Sequence, residues 1–123
     1  SRKIKDPNDL FSPNVVKVVF DNDEKALYFS RNAIPWLRDV PLGNWLETAT
    51  FYQHIGMYGF QRMALQKVAT LPPGRLERLE KLEQLRWLEA GLSIGMTVTT
   101  YQNIGVDTMA DLERLKGMDF FKD

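Results

Sequence analysis

Two short runs of β-branched and aromatic residues, separated by a polar turn, limit the folds open to this chain most strongly. The first run is VVKVVF at residues 15–20, and the second is ALYFS at residues 26–30. Both have the composition that strands favour. The DNDEK segment at residues 21–25 has turn-forming composition. We therefore expect an antiparallel hairpin within a mixed α/β domain.

Composition narrows the class of protein. The chain has 123 residues, 44% hydrophobic and 26% charged, which allows one globular domain with a real core. Its 16 basic and 16 acidic side chains balance, so we expect no nucleic-acid partner. No apolar run approaches the roughly 20 residues that span a bilayer, so we expect no membrane insertion. The lack of cysteine excludes disulfides and zinc–thiolate sites, and we expect cytoplasmic localisation.

The segment QHIGMYGF, residues 53–60, is predicted to be a strand with a polar hollow on one face. Its period of two places His54 and Tyr58 on the same side, flanking Gly56. An imidazole and a phenol beside a residue without a side chain leave room for a ligand or another backbone. The alternative is a core histidine satisfied by a carbonyl, with a tyrosine at the sheet rim.

A charged helix is predicted at residues 76–89, because this segment is rich in helix formers and contains neither glycine nor proline. Helical geometry places most of its leucines on a broad arc and gathers Glu80, Glu83 and Trp87 on the other side. That acidic side is predicted to face a cleft or a partner. The alternative is a solvated face.

Other segments have simpler patterns. Residues 6–9 have turn composition, and residues 32–50 predict an ordered loop with Trp36 and Trp45 packed beneath it. A short helix is predicted at residues 61–69, and a strand at residues 92–100.

Asp107 precedes a predicted last helix, and Thr108 is a plausible N-cap of that helix. An acidic residue at this point can simply stabilise the helix dipole. Elsewhere the sequence contains no phosphate-binding glycine loop, nucleophile elbow or zinc motif. The residues alone therefore predict an α/β domain with a polar hollow around His54 and Tyr58.

Five segments in combination extend this prediction. They are NVVKVVFD, ALYFSRNAIPW, YQHIGMYGF, LEKLEQLRWLEAG and IGVDTMADLERL. In this order and spacing, they resemble the C-terminal half of the CMP-KDO synthetases, the 3-deoxy-manno-octulosonate cytidylyltransferases. The chain departs from that family at residues 74–75, where Gly-Arg replaces Ser-Pro, and at residues 59–60, where Gly-Phe replaces Ala-Tyr or Gly-Tyr.

The resemblance implies a nucleotide-diphospho-sugar transferase-like, Rossmann-like three-layer α/β fold with a β-hairpin dimerisation arm. Residues 1–123 would be the sugar-binding and dimerisation half of a single-domain enzyme that acts as a homodimer. The glycine- and basic-rich loop with which this family binds CTP phosphates has no counterpart in the chain. We therefore expect the CTP-binding half to be absent and the segment alone to be inactive.

The resemblance also implies an activity and its residues. The family transfers the cytidylyl group of CTP to 3-deoxy-D-manno-octulosonate (KDO), giving CMP-KDO and pyrophosphate for lipopolysaccharide synthesis, with Mg²⁺ as cofactor. The substrate-binding residues would be Arg31, His54, Tyr58, Glu83 and Gln84. Asp107 would be the catalytic residue and magnesium ligand, since Mg²⁺ prefers carboxylate oxygens and α/β folds place ligand-binding groups at strand ends.

Two alternatives to this function stay open. The first is a cytidylyltransferase for another sugar acid, such as a sialic acid or an 8-amino KDO analogue. The second is a non-catalytic dimerisation or interaction domain.

Overall fold

The computed structural model describes residues 1–100 together with Met109 and Glu113. Its described part contains a four-stranded antiparallel sheet in the order β1-β4-β2-β3. The strands are β1 (Arg2–Lys3), β2 (Lys17–Phe20), β3 (Ala26–Ser30) and β4 (Tyr52–Gln53). The helices are α1 (Pro7–Phe11), α2 (Trp45–Thr48), α3 (Arg62–Thr70), α4 (Arg75–Glu80) and α5 (Gln84–Glu89), with a 3₁₀ turn at Leu42–Asn44.

The predicted hairpin is confirmed as β2 and β3. These strands pair from Lys17 with Ser30 to Phe20 with Ala26, with a register shift after Val19. The carboxylate of Asp21 fixes the turn by accepting hydrogen bonds from the backbone N–H groups of residues 23 and 25, both at 2.9 Å. Local turn chemistry and strand composition agree here, which explains why the sequence predicted this element correctly.

Helices cover the sheet through two apolar clusters. The first joins the sheet to α5 and the segment after it, and its buried members are Val18, Ala26, Phe29, Leu82, Leu85 and Met96. The second lies around α1 and α2, and its buried members are Ile4, Leu10, Ala33, Trp45 and Phe51. Trp45 is fully buried, as predicted, whereas Trp36 is 70% exposed. The prediction that both tryptophans pack beneath the loop was therefore wrong for Trp36.

A buried lysine joins the hairpin to the segments on either side of it. Lys17 has no exposed surface, and its Nζ donates to the carbonyl oxygens of Ser12 at 2.7 Å, Val15 at 2.5 Å and Arg31 at 2.6 Å. Burial is the main cause that lowers its pKa. Three carbonyl oxygens accept from the ammonium group, so all three of its hydrogen-bond donors are satisfied within the protein.

The prediction of one continuous helix at residues 76–89 was wrong. The chain forms α4 and α5 instead, separated by Lys81 in the left-handed region at φ 55°. Contacts with β3 explain the break. The Glu80 carboxylate accepts hydrogen bonds from Ser30 Oγ at 2.8 Å and Arg31 N at 2.9 Å, and the Glu80 carbonyl accepts one from Arg31 Nε at 2.7 Å. Tertiary hydrogen bonds thus override helix propensity at this point.

The prediction of a strand at residues 53–60 was also wrong, since β4 contains only Tyr52–Gln53. Its partner β2 begins at Lys17, and the last bond on this side runs from His54 N to Val16 O at 2.7 Å. Beyond that bond the segment lies outside regular structure until α3. A strand needs a neighbouring strand for its hydrogen bonds, and β2 extends no further.

Three smaller predictions had mixed outcomes. The helix predicted at residues 61–69 is confirmed as α3. The turn predicted at residues 6–9 was wrong, because Asp6 caps α1 by accepting a hydrogen bond from Asn8 N at 2.8 Å. The strand predicted at residues 92–100 was wrong too, since its β pairing is one isolated bridge between Lys25 and Gly95.

Among the described residues, no helix has the length and apolar character needed to cross a bilayer.

Candidate functional site

His54 and Tyr58 are in direct contact, although they do not lie on a strand. The Tyr58 hydroxyl is 2.6 Å from His54 Nε2. The chain leaves β4 and folds back within four residues, so the imidazole and the phenol meet at the end of the sheet. The sequence thus predicted the two neighbouring groups but not the loop that brings them together.

Burial keeps the imidazole of His54 uncharged at neutral pH. Burial, and secondarily the positive charge of the Ser1 amino group, lower the pKa of His54 to about 4. The Phe29 ring packs edge-on against the imidazole at 5.0 Å. Nδ1 is buried and has no hydrogen-bond partner in the described part of the protein. This histidine is therefore neutral at pH 7, and its Nε2 is engaged by the Tyr58 hydroxyl.

Tyr58 also remains uncharged, and it connects His54 with the start of α5. Burial and the negative charge of Glu83 raise its pKa to about 12. The Glu83 carboxylate is 65% exposed and lies 3.9 Å from Arg86 Nη2. Gln84 follows as the first residue of α5 and is buried, with 6% exposure. The beginning of α5 thus carries two predicted site residues, and the charge of Glu83 acts on Tyr58.

An aromatic group lies on the other side of Tyr58. Trp87 contacts the rings of Tyr58 at 4.9 Å and Phe60 at 5.3 Å, both nearly edge-on. Tyr58 lines two cavities. One, of about 350 Å³, is lined by Trp87, Phe60 and part of α3, and the other, of about 290 Å³, is lined by His54 and residues 94–97. The sequence analysis did not place Phe60 in the site, although it shares the spacing of His54 and Tyr58.

Arg31 has a different environment. Its guanidinium donates to the carbonyl oxygens of Glu80 at 2.7 Å, Pro13 at 2.9 Å and Lys81 at 3.3 Å. These contacts hold the C-terminal end of α4 against the hairpin, and none of them involves His54 or Tyr58. Binding of a ligand carboxylate by Arg31 stays a prediction, and it would have to use the remaining donors of the guanidinium.

A metal site is not formed by the described residues. Within that part of the chain, no three His, Cys, Asp or Glu side chains are grouped so that they could hold a metal ion. The predicted ligand Asp107 lies outside the described residues, as does the predicted last helix apart from Met109 and Glu113. A separate cavity of about 450 Å³ beside β1, lined by side chains of both charges, contains none of the predicted site residues.

Comparison with known proteins identifies relatives of this chain. The chain is 46% identical over 115 residues to the 3-deoxy-manno-octulosonate cytidylyltransferase of Cytophaga hutchinsonii, covering 93% of this chain and 46% of that protein. It is 50% identical to the protein of the same name from Xanthomonas campestris pv. campestris, covering 87% of this chain and 44% of that one. The chain thus spans about half the length of the curated relatives it matches.

A solved structure supports the fold class. The structure of CMP:2-keto-3-deoxy-manno-octonic acid synthetase complexed with CTP is similar, with a TM-score of 0.82 and 36% sequence identity. The match covers 94% of this chain and 45% of that one. The predicted mixed α/β fold of the nucleotide-sugar transferase type is confirmed. A family model described as cytidylyltransferase matches residues 1–94. The chain belongs to the cytidylyltransferase family.

Proposed function

We propose that this chain supplies the sugar-acid site of a 3-deoxy-manno-octulosonate cytidylyltransferase. The observation that carries the proposal is the uncharged His54–Tyr58 pair beside the start of α5, where Glu83 and Gln84 lie. The names of the relatives and the CTP complex of the similar structure support it. Residues 1–123 would then form one half of the enzyme, and the CTP-binding half would complete it.

The proposed reaction requires positioning more than covalent chemistry by the protein. The anomeric hydroxyl of KDO loses its proton to water and attacks the α-phosphorus of CTP. A new P–O bond forms, the bond from the α-phosphorus to the bridging oxygen breaks, and pyrophosphate leaves with its electrons. A sugar acid presents several hydroxyl groups that need hydrogen-bond partners. The phenol of Tyr58, the imidazole of His54, the carboxylate of Glu83 and the amide of Gln84 provide both donors and acceptors.

Charge neutralisation has to come from other groups. Because the His54–Tyr58 pair is neutral, the sugar carboxylate needs a cation, for which Arg31 stays the candidate within this chain. Bound Mg²⁺ would stabilise the negative charge on the phosphates. We assign its protein ligand in this chain to Asp107, because Mg²⁺ is usually held by one or two carboxylates together with phosphate and water.

The surface supports assembly as a homodimer. Several large apolar side chains are exposed, among them Leu27 on β3 at 60% and Trp36 in the following loop at 70%. Exposed apolar side chains contribute to protein interfaces where they lie together in a patch. A homodimer formed through the hairpin region is therefore part of the proposal, as is cytoplasmic localisation, where an enzyme that consumes CTP finds its substrate.

A cytidylyltransferase for another sugar acid is the alternative that the same geometry favours. Hydrogen bonds from an uncharged pair recognise hydroxyl groups, which KDO shares with sialic acid and 8-amino KDO. Nothing in the pair itself distinguishes these acids. An assay against all three sugars separates the candidates.

Pyrophosphate release provides the test. The protein that contains this chain at its natural length is given CTP and Mg²⁺ with KDO, sialic acid or 8-amino KDO, and the reaction without sugar is the control. We expect KDO to have the highest kcat/KM and residues 1–123 alone to be inactive. A higher kcat/KM for another acid identifies that acid, and not KDO, as the preferred substrate. Turnover by residues 1–123 alone contradicts the half-enzyme assignment, and no turnover with any sugar contradicts the proposed activity.

A further inference from the structure

The two parts of the proposed sugar site lie on different elements, and packing must hold them together. His54 and Tyr58 belong to the segment between β4 and α3, which has no regular structure after Gln53. Glu83 and Gln84 begin α5. The segment's own backbone supplies a hydrogen bond from Met57 N to Ile55 O at 2.7 Å, and this bond does not reach α5.

Trp87 connects the two parts through aromatic contacts. It lies on α5 three residues after Gln84 and four after Glu83, a spacing that places all three on neighbouring positions of the helix surface. Its ring meets Tyr58 at 4.9 Å with an interplanar angle of 78°, and Phe60 at 5.3 Å with an angle of 77°. These are edge-to-face arrangements, which aromatic pairs prefer.

We propose that Trp87 is a positioning residue that holds the Tyr58 phenol against His54 and sets the distance between this pair and the start of α5. Its enzymatic consequence rests on the proposed function, whereas its structural consequence does not. Trp87 is only 6% exposed, so the indole is confined by its neighbours. Tyr58 has the His54 imidazole as a hydrogen-bond partner, and its ring contacts the indole at 4.9 Å and the Phe60 ring at 6.1 Å. Loss of the indole removes the nearer of these two aromatic contacts.

Trp87 can be substituted without breaking a hydrogen bond of its indole N–H. Nε1 is buried without a hydrogen-bond partner in the described residues. Trp87→Phe therefore removes no hydrogen bond and keeps an aromatic ring. Trp87→Leu keeps an apolar side chain and removes the ring contacts. Trp36→Leu is the control for loss of an edge-to-face tryptophan contact away from His54 and Tyr58, because Trp36, which is 70% exposed, meets Trp45 at 4.8 Å and 85°.

The first test is a pH titration of the His54 ring protons by NMR. His54 is the single histidine of the chain, so its signal is unambiguous. We expect Trp87→Leu to move the pKa of His54 from about 4 toward 6.5, because the displaced phenol admits water to the imidazole. Trp87→Phe and Trp36→Leu should leave it near 4. An unchanged pKa in a folded Trp87→Leu variant overturns the proposal.

A second measurement needs no variant. In the unsubstituted chain, Trp87 should show nuclear Overhauser contacts with the Tyr58 ring. If the folded chain lacks these contacts, the proposal is wrong even where Trp87→Leu fails to fold.

The enzymatic consequence is tested separately in the full-length protein. Trp87→Leu should raise the KM for the sugar acid about tenfold, and Trp87→Phe about twofold or less, with the KM for CTP unchanged in both. An equal rise in both constants in Trp87→Leu contradicts positioning at the sugar site. If the unsubstituted enzyme turns over no sugar acid, the proposed function fails, while the titration still decides the role of Trp87.

Discussion

The depressed pKa of His54 predicts that folding stability depends on this one residue in mildly acidic solution. The pKa is 6.5 in the unfolded chain and about 4 in the folded protein. Between these values the unfolded state binds the proton more strongly than the folded state does. The contribution is therefore fully present above pH 6.5 and is lost as the pH falls toward 4.

The magnitude follows from the same two values. At about pH 4.5 the lowered pKa of His54 reduces the free energy of unfolding by roughly 2.5 kcal/mol, before any allowance for solvent access. Each pH unit between the two pKa values corresponds to about 1.4 kcal/mol. The imidazole is half-buried and keeps some access to water, so we expect about 2 kcal/mol.

The assay is urea unfolding of the unsubstituted chain and of His54→Gln at several pH values. Carboxylates titrate in both proteins, so their effect on the free energy of unfolding cancels in the comparison. His54 is the single histidine, so the remaining pH dependence reports this residue. The difference in the free energy of unfolding should change by about 2 kcal/mol between pH 7.5 and pH 4.5, with the unsubstituted chain losing stability relative to the variant. A difference that is constant over this range refutes the burial and pairing of His54 described above.

The remaining predictions concern the buried lysine, the metal ligand and assembly. Lys17→Met should lower the free energy of unfolding by about 3 kcal/mol, since three partly buried carbonyl groups lose their donor. Lys25→Met, at an exposed lysine, is the control, and equal effects of the two substitutions in urea unfolding contradict the role of Lys17. Asp107→Asn in the full-length enzyme should keep the fold and lose at least about a hundredfold in turnover, partly recovered by excess Mg²⁺. A parent turnover rate with a lower melting temperature would instead identify Asp107 as a helix-terminal charge. Light scattering of the full-length protein at micromolar concentration should give a dimer mass, and a monomer mass alone counts against the homodimer.

Elements set by local chemistry were predictable from the sequence. The hairpin combines strand composition with a polar turn, and α3 ends where Leu71 is followed by two prolines. The C-terminus of α5 was also predictable. Gly91 takes φ 75°, and its N–H and that of Leu92 bond back to Leu88 O and Trp87 O, both at 3.0 Å.

Elements set by distant contacts were not predictable. The break between α4 and α5 depends on hydrogen bonds from Ser30 and Arg31 to Glu80, about fifty residues away in the sequence. The end of β4 depends on where β2 begins. The periodicity of a segment predicts neither the helix break nor the end of the strand. It reflects the preference of the segment itself and not the neighbouring groups that form hydrogen bonds with its backbone.

The candidate site was predictable only in part, because some of its contacts join segments that are distant in the sequence. The spacing of His54 and Tyr58 indicated a common site, and their 2.6 Å contact agrees with it, although a loop and not a strand brings them together. Arg31 was predicted from the family resemblance, and its contacts with carbonyl oxygens could not be foreseen. Trp87 appeared in the sequence only as one member of a helix face.

Tyr58→Phe decides whether Tyr58 binds the sugar acid or the nucleotide. The variant keeps the ring that packs on Trp87 and removes only the hydroxyl that meets His54. In the full-length enzyme, steady-state kinetics should show the KM for KDO raised about tenfold and the KM for CTP unchanged. An unchanged KM for KDO together with a raised KM for CTP would place Tyr58 on the nucleotide side and contradict the proposed site.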